Sequence, residues 1–225
     1  MSEKQWEAQE KTWKKSPYVL IDKRNIFIRW LNKIPKKKIL NQGCGIGRYT
    51  ITLSKMGFNA VGLDFSEKLL KTARINAKKN NSKCKFVKAD IRKMPFKNKS
   101  FDAVLSPGTI EHVPETEQTV KELSRIIKKN GWLLIHVPHK ISVFTFAKAL
   151  QQFLGIWKLG YEKSFTKKYF ETLLESNGFE ISDYFLNPLK SGKHKILGGI
   201  LSLIDKPLYA IGFGGHHMCF LCRRV

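Results

Sequence analysis

The sequence predicts an α/β fold: a doubly wound, mostly parallel sheet of seven strands with helices on both faces. Short apolar runs, each long enough for one strand, alternate from residue 38 onward with segments whose apolar residues recur at helical spacing. Such alternation is typical of a parallel sheet whose strands are connected by helices. The 225 residues fit a single domain of this class, and an apolar content of 42% is enough for its core.

The strands and helices can be placed in order along the chain. Strands are predicted over 38–40, 59–64, 84–89, 101–106, 132–137, 179–185 and 218–222. Helices are predicted between them over 46–56, 67–79, 115–129 and 166–177. Ser66 precedes the second of these helices as a cap, while Gly57, Asn130 and Gly178 follow three of them as stop signals.

Three regions lie outside this alternation: residues 1–35, 139–165 and 189–212. Two helices are expected within an N-terminal region of residues 1–35, over 3–15 and 18–34. Residues 36–138 then hold the first five strands. Two largely apolar insertions follow, over 139–165 and 189–212, and the first contains a helix-like face that ends near Trp157.

The first strand runs into three alternating glycines, Gly43, Gly45 and Gly47. A strand that stops at glycines and restarts as a helix brings bare backbone N–H groups close to a ligand. At the edge of a parallel sheet such a turn binds nucleotide-like cofactors. Because glycines also serve ordinary tight turns, the residues at the following strand ends decide the interpretation.

Polar groups follow the ends of the next three strands, where open α/β sheets bind ligands. Asp64 comes 21 residues after Gly43, and its carboxylate can accept hydrogen bonds from both hydroxyls of a ribose. Asp90 could reach an exocyclic amine while Ile91 covers the base. The fourth strand ends at Ser106, and Glu111 and His112 come shortly after it. An acid at a strand end is often only a helix cap, but three such elements in register predict a ligand site.

Together these segments resemble class I S-adenosylmethionine-dependent methyltransferases of the small-molecule, methyltransferase-11-like type. The resemblance runs over most of residues 38–185. It is carried by ILNQGCGIG at 39–47, VGLDFS at 61–66, AD at 89–90, MPF at 94–96, SFDAV at 100–104, EHV at 111–113 and KNGWLLI at 129–135. It implies a Rossmann-like methyltransferase fold, the cofactor S-adenosyl-L-methionine, and methyl transfer to an acceptor, with residues 36–138 as the cofactor-binding half.

The resemblance also implies roles for single residues. Asp64 would bind the ribose, Asp90 and Ile91 would frame the adenine, and Ser106 would contact the methionine side. The other cofactor-binding residues that it implies are Gly43, Cys44, Gly45, Gly47, Phe65 and Glu111. Asn41 stands where the family usually has Asp or Glu. An amide can still hydrogen-bond the cofactor amino group, but it lacks the charge, and this leaves open a cofactor-binding homologue without catalysis.

Two histidines are candidate general bases, His112 and His139, which follow the fourth and fifth strands. A base is needed only if the acceptor must lose a proton, and both residues can equally be structural. Tyr18 and Tyr161 could line the pocket. The adjacent pair His216–His217 is expected at the surface or at a strand edge, and no metal site is predicted.

The insertions 139–165 and 189–212 fall where the family builds its substrate cap. Their apolar character, flanked by basic residues, favours a small-molecule or lipid-linked acceptor and a peripheral contact with an anionic membrane. No membrane-spanning helix is expected, because the run 196–204 is too short. The few, unevenly spaced cysteines predict a reducing, cytoplasmic setting. The oligomeric state is left open.

A net charge of +23 keeps nucleic acid open as a partner. Residues 65–99 alone contain 12 basic and two acidic side chains. However, 33 of the 41 basic residues are Lys, whereas specific phosphate and base recognition relies on Arg. The stretch SPGT at 106–109 also differs from the Asn/Asp-Pro-Pro-aromatic motif of enzymes that methylate base amines. Nicotinamide dehydrogenases prefer the motif G-x-G-x-x-G at such a turn. Arg48 stands at the position of the last glycine of that motif, which disfavours this class of enzyme.

Overall fold

The computed structural model describes residues 25–155, 161–187 and 215–225. Its seven strands are β1 Lys38–Gln42, β2 Asn59–Asp64, β3 Lys85–Lys88, β4 Phe101–Pro107, β5 Ile127–Pro138, β6 Phe179–Asn187 and β7 His217–Arg224. The predicted helix over 3–15, the first part of that over 18–34, Tyr18 and the insertion 189–212 lie outside the described residues.

The seven strands form one sheet in the order β3-β2-β1-β4-β5-β7-β6. The first five strands of this order are parallel to one another, whereas β7 is antiparallel to both β5 and β6. The prediction of a doubly wound, mostly parallel sheet of seven strands is therefore confirmed. Because the chain leaves β1 in one direction and returns on its other side at β4, the switch point of the sheet lies between these two strands.

Six α-helices are described, together with a single 3₁₀ turn over Ile110–His112. They are α1 Ile26–Leu31, α2 Arg48–Lys55, α3 Glu67–Lys79, α4 Thr116–Ile126, α5 Val143–Phe153 and α6 Lys167–Ser176. Side-chain caps set several of their starts. Ser66 accepts a hydrogen bond from the backbone N–H of Leu69 at the start of α3, and Thr166 does the same for Tyr169 in α6.

The core consists of two apolar layers, one on each face of the sheet. Neighbouring residues of β1 alternate between them, with Leu40 in one layer and Ile39 in the other, as a strand buried on both faces requires. Helices α4 and α6 cover the first layer, while α1 and α2 cover the second. Trp30 on α1 also donates a 2.8 Å hydrogen bond from its indole N–H to Asp183 on β6.

The predicted end of the helix over 115–129 was wrong. This helix ends at Ile126, and β5 begins at Ile127 rather than at residue 132. The carbonyl of Ile126 accepts a 2.7 Å hydrogen bond from the backbone N–H of Ser100, and Ile127 pairs with Phe101 of β4. Pairing with the neighbouring strand therefore replaces the next helical turn.

Two of the four cysteines lie within the sheet. Cys219 and Cys222 are both buried in β7, and the four cysteines are free thiols. Burial raises the pKa of Cys219 to about 12, so this thiol is not a ready nucleophile. None of the helices within the described ranges is long and apolar enough to cross a membrane.

Candidate cofactor and acceptor site

The glycine turn connects β1 to α2 with all three of its glycines in the left-handed region. The φ angles are +64° at Gly43, +52° at Gly45 and +87° at Gly47. A Cβ at Gly43 would overlap the side chain of Thr109, which follows β4. Since most residues avoid this backbone region, and since the two loops are in contact at Gly43, glycine is required there.

Asp64 lies at the end of β2 and is held against this turn. Its carboxylate accepts a 2.7 Å hydrogen bond from the backbone N–H of Gly45 and a 3.0 Å bond from that of Ser66. The side chain is largely buried. Two backbone donors thus fix an acid at the switch point of the sheet, where ligands of such folds bind.

A cleft opens at the carboxyl ends of β1, β2 and β4. Its walls are formed by Gly43, Asp64, Phe65, Asp90, Ile91, Arg92, Thr109, Val113 and Pro114. Five of the predicted cofactor-binding residues therefore meet in one place: Gly43, Asp64, Phe65, Asp90 and Ile91. The other six do not belong to this wall: Asn41, Cys44, Gly45, Gly47, Ser106 and Glu111.

Arg92 also lines the cleft, although it was not among the predicted site residues. Its guanidinium lies 2.7 Å from the Asp90 carboxylate and 3.0 Å from that of Glu115. The hydrogen bonds from Arg92 lower the pKa of Asp90, so this acid stays ionised at neutral pH. An Arg two residues after a strand-end Asp is the signal that could have indicated the pair.

Three of the predicted residues lie buried below the cleft. The Asn41 amide donates a 3.0 Å hydrogen bond to the Thr50 hydroxyl, while its Oδ1 has no partner among the residues that the structure describes. The Ser106 hydroxyl donates to Gln42 Oε1 at 2.7 Å and is fully buried. Burial raises the pKa of the Cys44 thiol.

The two candidate bases occupy different environments. His112 lies on the 3₁₀ turn, where its Nδ1 is 3.1 Å from the carbonyl oxygen of Tyr161. His139 is buried, and its carbonyl accepts hydrogen bonds from Ser142 and Thr145 at the start of α5. Neither position tests a catalytic role, so both assignments stay predictions.

The expectation for His216 and His217 was wrong. Strand β7 is an inner strand between β5 and β6, and both histidines are half-buried at its start. The His217 ring stacks on that of His136 in β5, with ring centroids 4.6 Å apart. Burial lowers the pKa of His217 to about 4 and that of His216 to about 3, so both rings are neutral at neutral pH.

Glu111 is almost completely buried, with 3% of its surface exposed. Burial raises its pKa to about 8, the nearby Glu162 adds to this shift, and Lys148 opposes it. The Lys148 ammonium is buried as well and is 3.0 Å from each of Glu162 Oε1, the Glu162 carbonyl and Ser164 Oγ. This region forms a second polar site after β4 and β5.

Comparison with known proteins decides the family. A family model described as a methyltransferase domain matches residues 40–135. A solved structure of a SAM-dependent methyltransferase from Methanosarcina mazei has a TM-score of 0.67 at 16% identity and covers 92% of this chain and 99% of that one. Residues 40–135 of the chain therefore form a methyltransferase domain of the class I S-adenosylmethionine-dependent type.

Two curated methyltransferases show how far the sequence likeness extends. The ubiquinone biosynthesis O-methyltransferase of Pelagibacter ubique is 32% identical over 121 residues, which is 53% of this chain and 50% of the relative. The sterol 24-C-methyltransferase ERG6B of Gibberella zeae is 35% identical over 112 residues, 46% of this chain and 30% of the relative. The chain thus spans half or less of the length of these two methyltransferases.

The cofactor of this methyltransferase family is S-adenosyl-L-methionine, and the residues present fit it. A Cβ at Gly45 would meet no described atom within 4 Å, so the turn is open to a ligand. Phe65 and Ile91 offer apolar walls to a base, and Asp64 lies beside them as an acceptor for ribose hydroxyls. The buried Oδ1 of Asn41 accepts no hydrogen bond from a described residue and is therefore able to accept one from the cofactor. These residue roles remain predictions.

Within residues 25–155, 161–187 and 215–225, no group of three His, Cys, Asp or Glu side chains is placed to hold a metal ion.

Proposed function

We propose that this chain transfers the methyl group of S-adenosyl-L-methionine to a small, lipid-like acceptor. S-adenosyl-L-methionine supplies a methyl group activated by a sulfonium. The protein has to place the acceptor in line with it and exclude water. The cleft at the switch point would hold the cofactor, and the polar site after β4 and β5 would receive the acceptor.

The exposed apolar face of α5 carries this proposal. Phe146 is 77% exposed and Phe153 is 87% exposed, and three further apolar side chains around the helix are about half exposed: Ile141, Leu150 and Leu154. The one charged residue between 141 and 155 is Lys148, and its ammonium is buried against Glu162. One helix therefore presents an uncharged apolar surface outward and contacts the polar acceptor site inward. An apolar acceptor needs such a surface.

The relatives support the same class of acceptor. One is named for ubiquinone biosynthesis and the other for a sterol, so both names concern apolar lipids. The first is an O-methyltransferase and the second a C-methyltransferase, which means that the family likeness does not choose the acceptor atom. For this chain we favour a hydroxyl oxygen.

We extend the proposal to an anionic membrane surface as the place where the acceptor is collected. The face of α5 would insert its aromatic and aliphatic side chains among the lipids. The net charge of +23 would strengthen attachment to anionic headgroups, and no acidic side chain interrupts residues 141–155. Attachment of this kind is peripheral and sensitive to salt.

A labelled-methyl assay tests the transfer reaction. The protein is incubated with methyl-labelled cofactor and with catechol, 4-octylcatechol, an extracted lipid fraction or bulk RNA. We expect label in the octyl compound and the lipid fraction, with catechol itself a poorer substrate because it lacks the apolar chain. Label in RNA with none in the lipid fraction or the catechols would replace this proposal with the nucleic-acid alternative, and no transfer to any of them would overturn it.

Liposome sedimentation tests the membrane contact. The double variant Phe146→Ser/Phe153→Ser removes the two most exposed aromatic rings, and Ile75→Ser removes an apolar side chain that is 55% exposed on α3. We expect the wild type and Ile75→Ser to sediment with anionic vesicles at low salt and the double variant to stay in the supernatant. Equal sedimentation of all three proteins would exclude α5 as the contact.

A further inference from the structure

Gly108 is where the cofactor cleft meets the second polar site. Its φ of +66° turns the chain directly after β4, and the next residue, Thr109, lines the cleft. A Cβ at Gly108 would lie 2.9 Å from Nε2 of His136 and 3.4 Å from Oε1 of Glu111. An imidazole nitrogen and a carboxyl group therefore converge on one point of backbone, one residue away from the cleft wall.

Glu111 has a second carboxyl oxygen, Oε2, on the same carbon as the Oε1 that faces Gly108. Its Oε2 is buried and makes no hydrogen bond to any residue of the described part of the chain. Leaving a buried acceptor without a partner costs about 1–3 kcal/mol, so a buried oxygen of this kind indicates a place for a ligand group. The backbone around Glu111 is held independently, because its carbonyl accepts a 2.9 Å hydrogen bond from the N–H of Lys163.

His136 is fixed by ring contacts rather than by charge. Its ring lies between that of Phe27, at 5.5 Å between centroids, and that of His217, at 4.6 Å. Burial, together with the neighbouring His217 and His216, lowers the pKa of His136 well below its usual value. At neutral pH the ring is therefore uncharged, with one nitrogen able to accept a hydrogen bond and the other able to donate.

The charges that face Glu111 cancel one another. The ammonium of Lys148 pairs with the carboxylate of Glu162 at 3.0 Å, and both side chains are largely buried. The imidazoles of His136 and His217 are neutral. A site with no net charge and a spare acceptor suits an uncharged head group that bears a hydroxyl, whereas a carboxylate or phosphate would gain no cation from it.

We propose that Glu111 is the proton acceptor for a hydroxyl group of the acceptor and that His136 hydrogen-bonds this hydroxyl and holds it in place. The site would then take the uncharged, phenol-like or catechol-like head of the apolar acceptor. This inference rests on the proposed function, because it names the base and the head group for that same reaction.

The step balances without any further reactant. The acceptor oxygen forms a bond to the methyl carbon as the carbon–sulfur bond breaks, and the electron pair of that bond stays on sulfur. Glu111 takes the proton of the hydroxyl and later releases it to water. The exchange needs no oxidant or reductant.

The pH dependence follows from the environment of Glu111. Burial raises its pKa to about 8, Glu162 contributes in the same direction, and Lys148 opposes both. Only the ionised carboxylate can take a proton, and at pH 7 roughly a tenth of the molecules carry it. The rate of methyl transfer should therefore rise with pH and level off above about 8.

Glu111→Gln tests the base, because the amide has the same shape and cannot take the proton. With 4-octylcatechol we expect kcat to fall by about 100-fold or more and its rise toward pH 8 to disappear. Because Glu111 does not belong to the wall of the cofactor cleft, binding of S-adenosyl-L-homocysteine, measured by calorimetry, should stay unchanged and shows that the variant is folded. Glu175→Gln, which changes an exposed acid on α6, should match the wild type within about twofold.

His136→Phe tests the positioning role separately. Phenylalanine keeps the stack with Phe27 and His217 but removes Nε2. We expect KM for 4-octylcatechol to rise about tenfold, which is the loss of one hydrogen bond, with little change in kcat. This variant also keeps the inference testable if Glu111→Gln does not fold.

The outcomes separate this inference from the proposed function. If the wild type and Glu111→Gln methylate 4-octylcatechol at the same rate and with the same pH profile, Glu111 is not the base, while the proposed function stands. If the wild type methylates no hydroxyl compound, the proposed function fails. The site is then tested by binding alone: equal affinity of 4-octylcatechol for the wild type and His136→Phe would overturn the site as well.

Discussion

The Asp64 carboxylate accepts a 2.7 Å hydrogen bond from the backbone N–H of Gly45, which joins the end of β2 to the glycine turn. This contact holds an acidic side chain and a run of backbone donors in one rigid unit. Because Asp64 is also bonded to the N–H of Ser66, the acid is oriented before any ligand arrives. Preorganisation of this kind lowers the entropic cost of binding.

Asp64→Asn should weaken the binding of S-adenosyl-L-methionine about 10- to 100-fold. The amide keeps the size of the side chain but removes the charge that strengthens hydrogen bonds from ribose hydroxyls. Calorimetric titration measures the change. Asp102→Asn is the matched control, because Asp102 lies in β4 and pairs with Lys128 outside the cleft wall. Equal affinity of Asp64→Asn and the wild type would remove Asp64 from the cofactor site.

Asn41→Asp should tighten cofactor binding and destabilise the free protein. Asn41 is 1% exposed and its Oδ1 has no partner in the described structure, so an aspartate there would be a buried charge without a cation. The amino group of the bound cofactor would supply that cation. Thermal unfolding should start from a lower Tm and show a larger rise on adding S-adenosyl-L-methionine than the wild type shows. An unchanged rise would mean that Asn41 does not face the amino group.

Glu111 should make the free energy of unfolding decrease as pH rises. The unfolded chain releases this proton near the usual glutamate pKa of about 4.3, whereas the folded chain keeps it up to about 8. Between these values the folded state binds more protons, so its stability falls by up to about 1.4 kcal/mol per pH unit. Glu111→Gln should remove this component. Parallel pH profiles of denaturant unfolding for the two proteins would contradict the prediction.

The cofactor side of the molecule was predictable because its determinants are local. Each predicted site residue lies at the end of its own strand or a few positions after it, as Asp64 ends β2 and Asp90 follows β3. Parallel strands bring such ends together whatever the details of their packing. The strand order and the meeting of five predicted residues in one cleft follow from this rule.

The proposed acceptor side was not predictable, because it depends on register between distant segments. His136 meets His217 only because β7 enters the sheet antiparallel to β5, in a register that pairs His217 with Pro138. The sequence around His216 and His217 does not show with which residues of β5 this strand will pair. The burial of the Lys148 ammonium against Glu162 was likewise not predictable, because long charged side chains usually reach solvent.

The buried pair of Lys148 and Glu162 allows a double-mutant test of this arrangement. Lys148→Met removes the ammonium, which makes 3.0 Å contacts to Glu162 Oε1 and Ser164 Oγ, and leaves the Glu162 carboxylate buried without its cation. We expect a loss of about 3–5 kcal/mol in the free energy of unfolding. Glu162→Gln alone should also destabilise the protein, because it leaves the ammonium without its anion.

Combining Lys148→Met with Glu162→Gln should recover most of this loss, because the double variant buries no uncompensated charge. Chemical denaturation of the four proteins gives the coupling energy between the two sites. Losses that simply add would mean that the two side chains are solvated independently, contrary to the buried ion pair in the structure. The result also bears on Glu111, because Lys148 opposes the rise in its pKa. Without that ammonium, the pH at which methyl transfer levels off should move upward.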